Sequence, residues 1–118
     1  MATGPHVRQK TIQVDMTDVS TATTRYLISP YRGWVERIDV ALHGAVTTAA
    51  NAVTVSIDSV AQAGLAFTIP IAAAGTRGIG KVVNRANHGV IPGSAITIVS
   101  DGAGSGTAPA TFFVTIRT

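Results

Sequence analysis

Catalysis by a protein needs nucleophiles, titratable groups or metal ligands at productive spacings, and one stretch of this chain has such a spacing. Gly75 to Val82 reads GTRGIGKV, which fits the G-x-x-x-x-G-K spacing of a phosphate-binding loop. That loop needs a hydroxyl residue directly after the lysine, and it leads into a helix whose amides hold the phosphates. Here Val82 follows Lys81, and the sequence continues VVNRANHGVIPG, which is β-branched and rich in turn formers. We therefore predict a glycine-rich turn that enters a strand.

The three histidines do not predict a metal site. His6, His43 and His88 are far apart in the sequence and have no carboxylate at ligand spacing. We expect His43 at a strand end and His88 in a turn, both in structural roles. No metal or cofactor is expected.

Acid–base and nucleophilic groups are equally sparse. Glu36 is the one acid that falls on an apolar face, and we expect it to pair with Arg25 or Arg37, because an unpaired buried carboxylate is costly. A glycosidase would need a second facing carboxylate. No Gly-x-Ser-x-Gly elbow is present, and Ser105 lies in a glycine-rich loop without a base nearby. We do not expect an enzyme.

The composition favours a protein that is covered by neighbours. Charged residues make up 13% of the 118 residues, against about 25% in an average domain. Such a surface suits broad contact with other proteins, although a weakly charged monomer is the alternative. The net charge is +3, but the basic residues are scattered singly, so nucleic-acid binding is not predicted. The chain has no cysteine, no apolar stretch long enough for a membrane span and no secretory signal at its start, so synthesis in the cytoplasm is expected.

Apolar residues recur with a period of two almost throughout, which is typical of strands with one buried face. About eight short runs of this kind alternate with Gly- and Pro-containing turns, and no segment has a helical period. This predicts an all-β fold: a single-domain antiparallel β-sandwich, jelly-roll-like, over residues 11–118. Residues 1–10 do not alternate and are predicted to be a flexible N-terminal arm.

Three local predictions follow from the pattern. In GWVERIDVALHG the even positions, from Trp34 to Leu42, are expected to face inward. GLAFTIPI is expected to turn Leu65, Phe67, Ile69 and Ile71 inward, with Pro70 at a strand edge or end. Pro92-Gly93 suits the centre of a type II turn.

Four stretches resemble small bacteriophage head decoration (cement) proteins. They are TIQVDMTDVSTATTRYLISPYRGWVERIDVAL, AVTVSID, IPGSAITIVSDG and the closing TIVSDGAGSGTAPATFFVTIR, which looks like a C-terminal hairpin. The likeness covers about residues 10 to 118. It implies a structural virion protein on the outer surface of a phage head. Such a subunit binds the major capsid protein as a homo-oligomer (a trimer is favoured, a dimer is possible) and clamps neighbouring capsid subunits against DNA pressure.

The family supplies no catalytic set, so the candidate interface is chosen from this sequence. The arm residues and the aromatic and basic residues of the early strands are the candidates, since Tyr, Trp and Arg are enriched in interface hot spots: Pro5, His6, Val7, Arg8, Lys10, Tyr26, Tyr31, Arg32 and Trp34. Core packing is the alternative for Trp34. The alternative function is a receptor- or glycan-binding module of a phage tail or fibre, with NRANHG supplying polar contacts.

Overall fold

The computed structural model describes residues 9–77, 79–82 and 88–118, and for residues 81 and 82 it describes the backbone only. These residues form ten strands and one 3-10 turn, Ala63–Leu65. The strands are β1 Gln9–Met16, β2 Thr23–Ile28, β3 Gly33–Leu42, β4 Asn51–Ile57, β5 Val60–Ala61, β6 Phe67–Ile69, β7 Ile79–Val82, β8 Gly89–Val90, β9 Ala95–Ser100 and β10 Ala110–Arg117. β1 already contains Gln9 and Lys10, which we had assigned to the arm.

The strands pair into two antiparallel sheets. Sheet A has the order β1-β10-β3-β7, with β8 pairing beside β7 on the same edge of β3. Sheet B has the order β2-β9-β4-β5, with β6 beside β5 on β4. Strands β1 to β4 alternate between the sheets, and the two orders are those of a jelly roll. The predicted all-β sandwich is confirmed; its strand count exceeds the expected eight because β5 and β8 are two-residue strands.

The core lies between the sheets and is filled by the alternating apolar residues of the long strands. Its largest fully buried members come from both sheets and from the 3-10 turn: Phe112, Met16, Ile38, Leu42, Leu65, Ile69, Ile96, Ile98 and Ile116. Branched and aromatic side chains suit this pleated, one-sided burial. Every buried side-chain nitrogen or oxygen of the described residues has a hydrogen-bond partner, so the described core holds no uncommitted polar group.

A bulge in β3 overturns the predicted inward face at its start. The register between β3 and β10 shifts between Thr115 and Ile116, so that Ile116 lies opposite Val35. Val35 is buried, whereas Trp34 and Glu36 are half-buried. One extra residue reverses the alternation. The prediction holds from Ile38 onward and was wrong at Trp34 and Glu36.

Two more sequence expectations are corrected. The GLAFTIPI run forms a 3-10 turn followed by the three-residue β6. Leu65 and Ile69 are fully buried and Phe67 packs against the core, as predicted, but the prediction was wrong for Ile71, which is 59% exposed. Pro70 ends β6, as expected, because it cannot donate a ladder hydrogen bond. The closing stretch is not a hairpin: β9 belongs to sheet B and β10 to sheet A, so residues 101–109 cross between the sheets.

The Pro92-Gly93 turn is confirmed. Gly93 has φ +96° and the Ser94 amide donates to the Ile91 carbonyl at 2.9 Å, which is a type II turn. Among the described residues, no helix is long and apolar enough to cross a membrane.

Candidate interaction surface

The strands run between two ends of the sandwich, which we name after one residue of each. The Lys10 end comprises residues 9–10, 28–34, 57–60, 88–96 and 116–118, where β1, β3 and β9 begin. The Asp18 end comprises residues 16–23, 42–52, 69–77 and 99–110. The two ends differ in exposed apolar residues, in charge and in hydrogen bonding.

The Lys10 end carries most of the exposed apolar side chains. Five large hydrophobic side chains in the described part of the chain are exposed. Ile28 (62%), Val60 (62%) and Ile91 (51%) belong to the Lys10 end, and Tyr26 (69%) lies two residues before Ile28 on β2. Only Ile71 lies at the Asp18 end. Exposed apolar residues gathered in one region mark an interaction surface more strongly than scattered ones do.

Hydrogen bonds between loops hold these apolar residues in place. The Ser29 amide donates to the Ser94 carbonyl at 2.9 Å, and the Gly93 amide donates to the Ser29 carbonyl at 2.8 Å. The Asp58 amide donates to the Ala95 carbonyl, and its carboxylate accepts from the Ala95 amide at 2.9 Å. The loops that carry Ile28, Ile91 and Val60 are thus tied to one another. A surface that is preorganised in this way loses less conformational entropy on binding.

Basic and aromatic residues adjoin this apolar region. The Lys10 ammonium lies 5.9 Å from the centre of the Tyr31 ring, within reach of a cation–π contact. Arg32 is exposed beside Tyr31, which itself packs partly against the core. The Ser29 hydroxyl donates to the Tyr31 carbonyl at 2.9 Å and fixes the turn between β2 and β3. The predicted residues Lys10, Tyr31 and Arg32 are therefore brought together at one end.

Trp34 lies at the same end but on the outer face of sheet A, opposite Arg117. Arg117 pairs with Glu36 at 2.9 Å, and the Gln9 amide group donates to the other Glu36 oxygen at 2.7 Å. The expected Glu36 partners, Arg25 and Arg37, were wrong: Arg37 pairs with Asp39 at 2.8 Å. The bulge at the start of β3 explains this, because it turns Glu36 outward toward β10 and β1.

The charges of the described residues differ in sign between the two ends. The Lys10 end has three cations against one acid: Lys10, Arg32 and Arg117 against Asp58. The Asp18 end has one cation against two acids: Arg77 against Asp18 and Asp101. The Lys10 end is thus the one suited to an acidic partner.

Sequence reasoning missed part of this surface. Ile28, Val60 and Ile91 were not among the candidates, since alternation alone does not show which apolar residue a sheet leaves uncovered. Their positions at strand ends beside turns were the available signal. The arm candidates Pro5, His6, Val7 and Arg8 lie outside the described residues, as does most of NRANHG. Tyr26 is on the outer face of sheet B.

The other residues considered for chemistry have structural contacts. Gly75 lies in a turn with φ +85°, and Ile79–Val82 is a strand antiparallel to β3, so the predicted turn entering a strand is confirmed. The Thr111 hydroxyl donates to Asp15 at 2.8 Å and faces the His43 ring nitrogen Nε2 at 2.9 Å, which must then donate to it. This chain of contacts ties β1, β10 and the end of β3 together.

His88, 7% exposed, donates from Nδ1 to the Gln62 side-chain oxygen at 2.7 Å. It therefore links the residue before β8 to the segment between β5 and β6. In the described ranges, no group of three or more His, Asp or Glu side chains is placed to hold a metal ion.

The Asp18 end is held by polar contacts of Asp18 and Asn51, each of which bonds to the 101–109 crossing. The Asp18 carboxylate accepts from the amides of Ser20 and Ala108 and from the Thr21 hydroxyl, at 2.9 to 3.0 Å. The fully buried Asn51 accepts from the Gly104 amide at 2.6 Å. These contacts explain how a loop of small residues keeps one conformation.

Asp18 makes stability depend on pH. Burial acts to raise the pKa of its carboxyl, but the hydrogen bonds from Ala108, Thr21 and Ser20 outweigh it and lower the pKa from the usual 3.8. A depressed folded-state pKa stabilises the fold above 3.8, and that contribution is lost as pH falls through the folded-state value. We expect Asp18→Asn to cost about 1 kcal/mol or less at pH 7, because the carboxylate is only partly buried. Urea unfolding should show the difference shrinking below about pH 4; a difference that stays constant down to pH 2 would contradict this.

No protein-family model matches the chain, and no curated protein matches it. The fold and the surface described above are therefore the basis for assigning a function.

Proposed function

We propose that the chain is a structural virion protein that binds the outside of a phage head and, as an oligomer, clamps neighbouring major capsid proteins against the pressure of packaged DNA. The resemblance of the strand-and-turn pattern to head decoration proteins supports this, and so does the jelly-roll body. The observation that carries the proposal is the Lys10 end. It joins exposed Ile28 and Ile91 to the cations Lys10 and Arg32 on braced loops.

Attachment through the Lys10 end has a simple physical basis. Apolar side chains at the centre of a contact supply most of the affinity, and surrounding charges orient the partner and speed association. We expect the facing capsid surface to be apolar with an acidic border, complementary to Lys10 and Arg32. Each contact can be weak, because subunits joined in an oligomer bind with a raised effective concentration.

The test compares matched changes at the two ends. Arg32→Glu with Ile91→Ser alters the Lys10 end, and Arg77→Glu with Ile71→Ser makes the same exchanges at the Asp18 end. All four side chains are exposed, so neither pair should unfold the protein. We expect the first pair to weaken binding to heads that lack the protein by about 10- to 100-fold, the size of a hot-spot loss, and the second by less than about twofold.

Binding would be measured with labelled protein titrated onto purified heads, alongside the temperature at which the heads disrupt. The wild-type protein is expected to raise that temperature, and the Lys10-end pair is not. Equal losses from both pairs would reject the Lys10 end as the attachment surface. A wild-type protein that does not bind heads but binds glycans on an array would favour the alternative function, a receptor- or glycan-binding module of a tail or fibre.

A further inference from the structure

The outer face of sheet B differs from every other broad surface of the described residues in having no charged side chain. The outward-pointing residues of its strands are small, hydroxylated or apolar: Thr24, Tyr26, Ile28, Ala52, Thr54, Ser56, Ala61, Thr68, Ala95, Thr97 and Val99. The outer face of sheet A, in contrast, carries the Arg37–Asp39 and Arg117–Glu36 ion pairs. We propose that the sheet B face binds a second copy of this chain, face to face, around a two-fold axis.

Charge favours a second copy as the occupant. A two-fold interface places a surface against itself, so any net charge on it would repel its own image. The sheet B face has no such charge to bury. Burying the outer face of sheet A against a second copy would desolvate two ion pairs, which is unfavourable.

The distribution of side-chain size also makes the face complementary to itself. The β2 edge carries the large, exposed Tyr26, whereas the opposite edge carries small residues, Ala61 on β5 and Ala52 and Ser56 on β4. A two-fold axis along the strands places the β2 edge of each copy over the β4–β5 edge of its partner. Large side chains then meet small ones at both edges.

Pairing through the edge of sheet B is the competing arrangement, and Arg25 opposes it. Arg25 is exposed on β2, the edge strand, and pairs in register with the buried Ile98, so its side chain leaves the strand on the core side. A charge pointing inward on an edge strand discourages addition of another strand. Association through the face has no such obstacle.

The area of the sheet B face sets the affinity that we expect for the dimer. Four strand positions about 4.8 Å apart and strands of about six residues give a face of roughly 20 by 20 Å. That is about half of the roughly 800 Å² that each partner gives to a standard interface. We therefore expect a weak dimer, with a dissociation constant on the order of 100 µM.

Sedimentation equilibrium tests the association without any capsid, so its result is independent of the attachment proposed above. We expect the mass to rise from the 12.1 kDa of the chain toward twice that value with concentration. Thr54→Lys, at the centre of the sheet B face, should abolish the rise. Thr11→Lys, at an equally exposed strand threonine on sheet A, should leave it unchanged. A wild-type chain that stays monomeric at about 1 mM, or equal effects of the two lysines, would overturn the proposal.

Because the chain has no cysteine, crosslinking can test the arrangement directly. Tyr26→Cys combined with Ala61→Cys should form covalent dimers with a short bismaleimide, whereas either change alone should not. A reagent with some reach is needed because sheets packed face to face lie about 10 Å apart, too far for a direct disulfide. The two positions within one chain are three strand spacings apart, about 14 Å, which is beyond the reach of the same reagent. Dimers from Tyr26→Cys alone would place β2 over β2 and overturn the proposed axis. If the wild-type chain is monomeric and Thr54→Lys nevertheless abolishes binding to heads, the sheet B face binds another protein instead of a second copy.

Discussion

Replacing Phe112 with alanine is expected to lower the free energy of unfolding by about 3–5 kcal/mol, the usual cost of removing a fully buried phenylalanine. Phe112 is fully buried on β10, at the centre of sheet A. Its ring lies 6.5 Å from that of Phe67 at an interplanar angle of 52°, a tilted aromatic contact that joins the two sheets. Removing it leaves a cavity between the sheets and also removes that contact.

Phe113 provides the matched control. It follows Phe112 on the same strand but points to the opposite, outer face, where it lies between Gln13 and Asp39 and is half-buried. We expect Phe113→Ala to cost less than half as much. Urea unfolding followed by tryptophan fluorescence would measure both, and Phe112→Leu gives a graded value if the alanine variant does not fold. Equal losses at Phe112 and Phe113 would mean that the assignment of the inner face of β10 is wrong.

Gly44→Ala is expected to have the second-largest effect, a loss of about 3 kcal/mol or more, which for a chain of this size lowers the melting temperature by about 10–15 °C. A Cβ atom at Gly44 would lie 2.8 Å from the Pro109 ring and 2.9 Å from the Ala108 Cα, and closer still to the Thr107 carbonyl. These atoms are backbone or ring atoms and cannot rotate away. The 101–109 crossing would therefore have to move and would strain the hydrogen bond from the His43 amide to the Pro109 carbonyl, 2.7 Å long.

Gly89→Ala is the control for the effect of replacing glycine by alanine where the added Cβ atom meets no close neighbour. A Cβ atom there would have its nearest neighbour at 3.8 Å, an ordinary contact. Gly89→Ala should leave the melting temperature unchanged or raise it slightly, because alanine reduces the freedom of the unfolded chain. Calorimetry on both variants decides the point. A Gly44→Ala protein as stable as Gly89→Ala would show that the crossing does not pack against Gly44.

The surface residues show how far sequence reasoning reaches. Aromatic and basic residue types selected Lys10, Tyr31 and Arg32, and the fold brings them together at one end. The apolar members, Ile28 and Ile91, could not be selected in this way. Their exposure depends on which loops are adjacent, and that is fixed by hydrogen bonds such as the one from Ser29 to Ser94, between residues 65 positions apart.

The sequence by itself determined the strands, because alternation of apolar and polar residues is a local property with a period of two. It therefore predicted the β-sandwich, the inward positions from Ile38 to Leu42, the Pro92-Gly93 turn and the end of β6 at Pro70. Each of these depends on the conformation or burial of a few neighbouring residues.

Tertiary structure alone decided the order of the strands, the bulge that turns Glu36 outward, and the crossing that replaces a hairpin after β9. These depend on pairing between distant parts of the chain, as between β1 and β10, where Thr11 lies opposite Thr115. The free energy of such pairing comes from the fit of whole surfaces after the chain has closed long loops. A local pattern does not contain that information, and so the uncharged outer face of sheet B emerges only once five separate strands are assembled.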